Sequence, residues 1–306
     1  MSCLYAMPGN EAFADRLVRH TGLPRRELRV HRFPDGESLV RVELPPAHED
    51  VALVCTLDNP DGKVVPLLMT AATLRELGAA RVGLVAPYLA YMRQDTRFHP
   101  GEAVSARIFG RLLGGAFDWL VTVDPHLHRY HTLDQAWPLD GRVVHAAAQV
   151  AAWIGAHVDA PLIVGPDGES DQWVRDVATR LGAPFVVARK ARHGDRDVDV
   201  TLADTAPWKG RTPVLVDDII SSGRTMVGAL QGLDPAGSRA PVCIGVHGIF
   251  APDALAQLAA AGAGRIVTCN TIDNATALID ISADVAATVA ELARAPHHES
   301  RGGNLP

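Results

Sequence analysis

Apolar, β-branched runs alternate along the chain with stretches of helical period. The runs occupy residues 51–57, 81–86, 119–124, 162–164, 185–188, 214–220, 242–246 and 266–271. Between them, residues 64–77, 105–113, 146–157, 171–181, 225–233 and 253–261 carry apolar side chains at helical spacing. A strand with one wet face would alternate apolar and polar residues, whereas these runs are almost continuously apolar. Such strands are buried on both faces, and helical crossovers between them imply parallel sheets. The pattern predicts an α/β fold over the whole length.

The two halves share a layout. Residues 52–87 run strand, loop, helix, strand, and residues 214–248 do the same. This predicts a duplicated fold with its boundary near residues 140–144. The alternative, that any two β-α-β units look alike, stays open at this point. The expected organisation is an N-terminal domain over 1–142 and a C-terminal domain over 143–280. A helix over 281–295 can pack back on the first domain, and a polar tail covers 296–306.

Composition narrows the class. The 306 residues are 47% hydrophobic and 21% charged, enough for two domains of about 150 residues each. The net charge is −6 and no basic block is present, which argues against a nucleic-acid partner. No apolar run approaches the roughly 18 residues of a membrane span, and the N-terminus lacks a signal-peptide pattern. Cys3, Cys55, Cys243 and Cys269 form no CxxC pair, and the last three sit in apolar runs. A reduced, cytoplasmic protein with buried thiols is expected. Lys63, Lys190 and Lys209 are the only lysines among 29 basic residues, so each is more informative than usual.

Residues 214–225, VLVDDIISSGRT, carry the most specific chemistry. A buried strand runs straight into Asp217 and Asp218. Ligands in open α/β sheets bind at the carboxyl ends of strands, so these carboxylates point to a site. Ser221, Ser222, Gly223, Arg224 and Thr225 then lead into a helix, where backbone N–H groups and hydroxyls can cradle an anion. Carboxylates suit neighbouring sugar hydroxyls and the cradle suits a phosphate. Together they describe a ribose 5-phosphate moiety.

This segment resembles the phosphoribosyl pyrophosphate (PRPP) motif of the type I phosphoribosyltransferase fold, with Arg224 where many members have Gly. Other segments resemble those of ribose-phosphate pyrophosphokinases (PRPP synthetases). They are the FPDGE stretch at 33–37, PYLAYMRQD at 87–95, VDPH at 123–126 and GPDG at 165–168. The stretch at 97–105 looks closest to archaeal-type members. All occur in family order, and the resemblance covers about residues 5–290. It implies two tandem phosphoribosyltransferase-like domains, each a mainly parallel sheet flanked by helices.

The resemblance also implies roles. Arg93, Gln94 and Asp95 would hold ATP, while Phe33, Asp35 and Glu37 would reach the ATP of a neighbouring subunit in a homo-oligomer. His126 and Asp167 would lie at Mg²⁺ positions. Asp217, Asp218, Ser221, Ser222, Gly223, Arg224 and Thr225 would hold ribose 5-phosphate. Lys190 and Arg192 match the catalytic flexible loop, and residues 192–199 read as a lid. His126, His128 and His131 could suggest zinc, but no cysteine or carboxylate cluster completes the set.

The implied reaction transfers the pyrophosphoryl group of ATP to ribose 5-phosphate, giving PRPP and AMP. The alternatives are a PRPP-consuming phosphoribosyltransferase and an inactive regulatory homologue. Two departures stand out: Arg107 stands where many relatives have Lys, and Gly168-Glu169-Ser170 replaces a Gly-Gly pair, a change close to the expected metal and sugar region that can shift the acceptor.

Overall fold

A computed structural model describes residues 1–127, 132–133, 137, 139–193, 197–201, 206–233 and 239–294, with backbone alone at 189–193, 197–201, 206 and 293–294. The N-terminal half begins with β1 (Cys3–Ala6), α1 (Glu11–Thr21) and β2 (Arg25–Arg26). An antiparallel hairpin follows, β3 (Leu28–Arg32) and β4 (Ser38–Val42). Then come β5 (Asp50–Val54), α2 (Asp61–Glu76), β6 (Arg81–Ala86), α3 (Ser105–Gly114), β7 (Trp119–Val123) and β8 (Asp140–Val144).

The C-terminal half repeats the scheme. Its elements are α4 (Ala147–His157), β9 (Pro161–Gly165), α5 (Asp171–Leu181) and β10 (Phe185–Val187), then a hairpin of β11 (Arg189–His193) and β12 (Asp197–Thr201). After it come β13 (Thr212–Ile220), α6 (Arg224–Gln231), β14 (Val242–Gly248), α7 (Ala254–Ala260), β15 (Arg265–Cys269), β16 (Ala277–Ile279) and α8 (Ser282–Arg294).

Each half closes into a six-stranded parallel sheet. The first has the order β2-β1-β5-β6-β7-β8 and the second β10-β9-β13-β14-β15-β16. Adding eight to every strand number of the first order gives the second. Each sheet also carries its hairpin at the equivalent point in the chain. Two unrelated β-α-β units would not share all of this, so the fold is duplicated.

Burial explains the continuous apolar runs. Strands β5 and β7 are buried at every residue, and each fully buried Val or Leu stabilises the fold by about 1.5–3 kcal/mol. Three apolar cores result. One covers a face of the first sheet with Leu53, Leu67 and Leu113. Another covers a face of the second with Leu215, Met226 and Leu258. The third runs from Leu4 and Val121 through Val150 to Ile163, Val214 and Val289, so one core is shared by both domains.

The last helix joins this shared core. Val285, Ala286, Val289 and Leu292 form its buried stripe and pack against α1, whose Phe13, Ala14 and Leu17 face inward. Helix α1 stops at Gly22, whose φ of 72° lets its N–H reach back to Val18 O.

Several elements escape the apolar pattern. The hairpin strands LRVHR and SLVRV, and RKARH and DVDVT, are too polar to stand out. Strand β1 is only four residues long. The run at 51–57 ends as a strand at Val54, and Cys55, Thr56 and Leu57 continue as buried loop. All four cysteines are buried and free.

Candidate active site

A cleft of about 820 Å³ opens where the carboxyl ends of β7, β8, β9 and β13 converge. Strand β13 delivers Asp217 and Asp218 to it. Gly223 follows with φ 73°, a left-handed conformation that favours glycine and starts α6. The first turn of a helix leaves N–H groups without intrahelical partners, and Ser221, Ser222, Gly223, Arg224 and Thr225 line the cleft at this point.

The opposite wall comes from the N-terminal domain. After β7 the chain turns at Asp124, whose φ of 31° is unusual for a residue with a side chain. The turn is held by its own carboxylate, which accepts from His145 Nδ1 at 2.8 Å and from Ala146 N at 2.7 Å. Two residues on, His126 Nδ1 lies 2.5 Å from Asp218 Oδ2. Arg93 reaches the cleft from the loop after β6. That loop is anchored by buried Met92 and Asp95 and by Tyr91, whose ring meets Phe109 at a tilt, centroids 4.8 Å apart, and whose hydroxyl donates to Asp61.

The site is crowded with carboxylates. Burial pushes the Asp217 carboxyl well above the ordinary range, and the charges of Asp218 and Asp167 push it the same way. Burial also raises Asp124, against hydrogen bonds from His145 and Ala146. The hydrogen bond to Asp124 raises His145 in turn. Such a set of acids is suited to a cation and to the hydroxyls of a sugar. His126 fits a metal ligand in its chemistry: with Nδ1–H donating to a carboxylate, Nε2 keeps its lone pair. Asp167, held by Glu169 N at 3.0 Å, supplies a second donor, a carboxylate oxygen. Among the described residues no three His, Cys, Asp or Glu side chains form a metal cage. Mg²⁺ keeps several waters and takes one or two protein ligands plus substrate phosphates, and the donors of His126 and Asp167 fit that demand in number.

Two family models match the chain. The N-terminal domain of ribose phosphate pyrophosphokinase matches residues 2–116, and the phosphoribosyl transferase domain matches residues 141–285. The ribose-phosphate pyrophosphokinase of Saccharolobus solfataricus is 33% identical over 280 residues, covering 89% of this chain and 94% of that protein. Those of Methanopyrus kandleri and Thermococcus kodakarensis are also 33% identical, over 90% and 89% of this chain and 94% and 95% of theirs. The chain belongs to the ribose-phosphate pyrophosphokinase family. Its fold matches the crystal structure of phosphoribosylpyrophosphate synthetase from Mycobacterium smegmatis with a TM-score of 0.78, at 23% identity over 95% of this chain and 97% of that one. The organisms of these pyrophosphokinases agree with the archaeal-type character of the segment at 97–105.

The residues expected to act in a ribose-phosphate pyrophosphokinase fall into four groups. Arg93, His126, Asp167, Asp217, Asp218, Ser221, Ser222, Gly223, Arg224 and Thr225 share the one cleft. Gln94 and Asp95 stand beside Arg93 but do not line it. Gln94 Nε2 instead donates to Thr96 O and Glu102 Oε2, both at 3.3 Å. Phe33, Asp35 and Glu37 lie outside the cleft, at the exposed tip of the β3–β4 hairpin. A tight turn shapes this tip, with Phe33 N donating to Glu37 O and Glu37 N to Asp35 Oδ1. Lys190 and Arg192 have their backbone in β11, paired with Val200 and Val198. Their side chains, like His128 and His131, lie outside the described residues.

The cleft also contains residues not singled out from the sequence: His145, Gln172, Trp173 and Asp176. His145 follows β8 directly, so the rule that ligands gather at strand carboxyl ends could have found it. The other three lie on α5, where only the fold brings them to the cleft.

Proposed function

We propose that this chain transfers the β,γ-pyrophosphoryl group of ATP to the 1-hydroxyl of ribose 5-phosphate, giving PRPP and AMP. One observation carries the reading: Arg93 and His126 of the first domain face the 217–225 loop of the second across a single cleft. The loop has an acid pair for ribose hydroxyls and a helix start for the 5-phosphate. The facing wall has a guanidinium for polyphosphate.

In this reading O1 of ribose 5-phosphate attacks the β-phosphorus and loses its proton. The bridging oxygen between the α- and β-phosphorus leaves with AMP. Such transfer depends on positioning and charge neutralisation more than on covalent help. Asp217 and Asp218 orient the sugar, the 221–225 loop holds its phosphate, and Arg93 holds the donor. Mg²⁺, held by His126 and Asp167, would neutralise the polyphosphate charge when bound. Lys190 and Arg192, on the hairpin that precedes β13, would stabilise the charge developing on the transferred group.

A homo-oligomeric, cytoplasmic enzyme fits the surface. Leu39 on the first hairpin, Val65 and Met69 on α2 and Ile108 and Leu112 on α3 are exposed apolar residues. A second copy seated there could take the tip residues Phe33, Asp35 and Glu37 into its own site. Among the described residues, no helix is long and apolar enough to cross a membrane.

Phosphorus NMR of the protein with ATP, ribose 5-phosphate and Mg²⁺ tests the reading. AMP and PRPP should appear together and require all three. Well-folded protein that forms no AMP would overturn it, and nucleobase-dependent release of pyrophosphate from PRPP would move the chain to the transferases.

A further inference from the structure

His247, at the end of β14, is buried to 1% exposure and does not line the cleft. Its ring bridges the two domains. Nε2 lies 3.1 Å from Val123 O and 3.3 Å from Asp124 O, both in the N-terminal domain. Nδ1 lies 2.9 Å from Thr271 Oγ1 in its own domain. The Nε2 neighbours are both carbonyls, so Nε2 carries the proton. Burial disfavours the charged ring, so Nδ1 accepts from the Thr271 hydroxyl, which has Val246 O as an alternative acceptor at 3.0 Å.

Thr271 extends the bridge. Its carbonyl accepts from Thr56 Oγ1 at 2.6 Å, and Tyr88 N donates to that same oxygen at 3.1 Å. Thr56 N is held by Asn10 Oδ1 at 2.6 Å. The Tyr88 ring meets the His247 ring edge-on at 5.0 Å. His247 therefore stands among three loops at once. One is the turn leading to His126, another is the loop from Tyr88 to Arg93, and the third is its own domain's loop after β15. On its other side β14 pairs with β13, His247 lying opposite Ile219, next to Asp218.

We propose that His247 is a positioning residue that sets the register between the donor half of the cleft, Arg93 and His126, and the acceptor half, Asp217 to Thr225. This rests on the transfer reading above. Neither His247 nor Thr271 lines the cleft, and Arg93 on the donor side and Asp217 to Thr225 on the acceptor side each lie within one domain, so neither KM should depend strongly on the bridge. The in-line approach of O1 to the β-phosphorus does need it, since the two atoms are held by different domains. A buried polar bridge is suited to this because its members have no water to exchange with, so a shift leaves carbonyls unpaired.

His247→Leu keeps the bulk and removes the hydrogen bonds at both ring nitrogens. The expected result is a fall in kcat of about 10²-fold, the scale for a misplacement near 1 Å, with KM for ATP and for ribose 5-phosphate within about twofold of wild type. His247→Gln, whose side-chain N–H can reach the two carbonyls, should recover at least tenfold of that loss. Hydrogen exchange at residues 88–95 and 123–127 should rise in His247→Leu and return in His247→Gln. This last readout needs no activity. If wild type makes no AMP but exchange changes as stated, the transfer reading fails and the bridge stands. A folded His247→Leu with wild-type kcat, or with one KM raised and kcat intact, overturns the proposal. Should His247→Leu not fold, Thr271→Val takes its place: kcat roughly tenfold lower at unchanged KM supports the bridge, and unchanged kcat sinks it.

Discussion

His126 Nδ1 and Asp218 Oδ2 lie 2.5 Å apart, although 92 residues and a domain boundary separate them in the chain. The contact joins the turn after β7 to the acid pair near the carboxyl end of β13, so the two half-sites meet through a charged hydrogen bond. Asp218→Asn keeps the shape and removes the charge. It should lower kcat/KM for ribose 5-phosphate roughly 10- to 150-fold, the effect of about 1.5–3 kcal/mol for a hydrogen bond to a charged group. Steady-state kinetics on protein with a wild-type melting curve checks this, and an unchanged kcat/KM would remove Asp218 from the site.

Gly223 starts α6 at φ 73°, and an added Cβ would lie 3.3 Å from Leu258 Cγ. Gly223→Ala carries a left-handed backbone cost of roughly 1–2 kcal/mol and displaces the N–H groups expected to hold the 5-phosphate. KM for ribose 5-phosphate should rise at least about tenfold while KM for ATP changes little. Equal effects on both would mean that the loop does not bind the sugar phosphate selectively.

Lys190 lies in β11, on the hairpin topologically equivalent to the one carrying Phe33. Lys190→Ala should slow turnover about 10²–10³-fold, comparable to losing one preorganised donor to developing charge. Single-turnover measurements should place the loss in the chemical step. Unaltered turnover would exclude Lys190 from catalysis.

Burial pushes the thiols of Cys55 and Cys243 up to about 12 and raises those of Cys3 and Cys269 as well. The thiolate is the reactive form, so the native protein should not react quickly with a disulfide reagent between pH 7 and 9. In denaturant, four equivalents should react. A native thiol whose rate climbs through pH 8.5 would contradict this burial.

Gly83 faces Trp119 across the β6–β7 ladder, and an added Cβ would sit 1.8 Å from the indole. Trp119 is itself fully buried, so the ring has nowhere to go. Gly83→Ala should destabilise the fold by at least about 1–3 kcal/mol, the scale of overpacking. Thermal unfolding reads this directly, and an unchanged Tm would mean the core relaxes at this point.

The α/β class was legible because the sheets are covered on both faces. Strands in that setting must be apolar along their length, and a run such as 242–246 carries its own burial in its composition. The loop at 217–225 was legible for a related reason. Acids, hydroxyls and glycine adjacent in sequence are adjacent in space when a strand turns straight into a helix. The hairpins were not legible. Strands β3, β4, β11 and β12 lie outside the six-stranded sheets, so nothing forces them to be apolar.

The residues alone therefore fix only local features: which segments are buried strands, where the phosphate cradle begins, and which motifs occur in which order. Tertiary structure alone decided which of them meet. It brought His126 to Asp218 and His145 to Asp124, placed His247 against carbonyls of the other domain, and left Phe33 at an exposed tip. The reason is that burial and backbone geometry are properties of neighbouring residues, whereas the closure of a cleft between two domains depends on contacts that sequence separation does not encode.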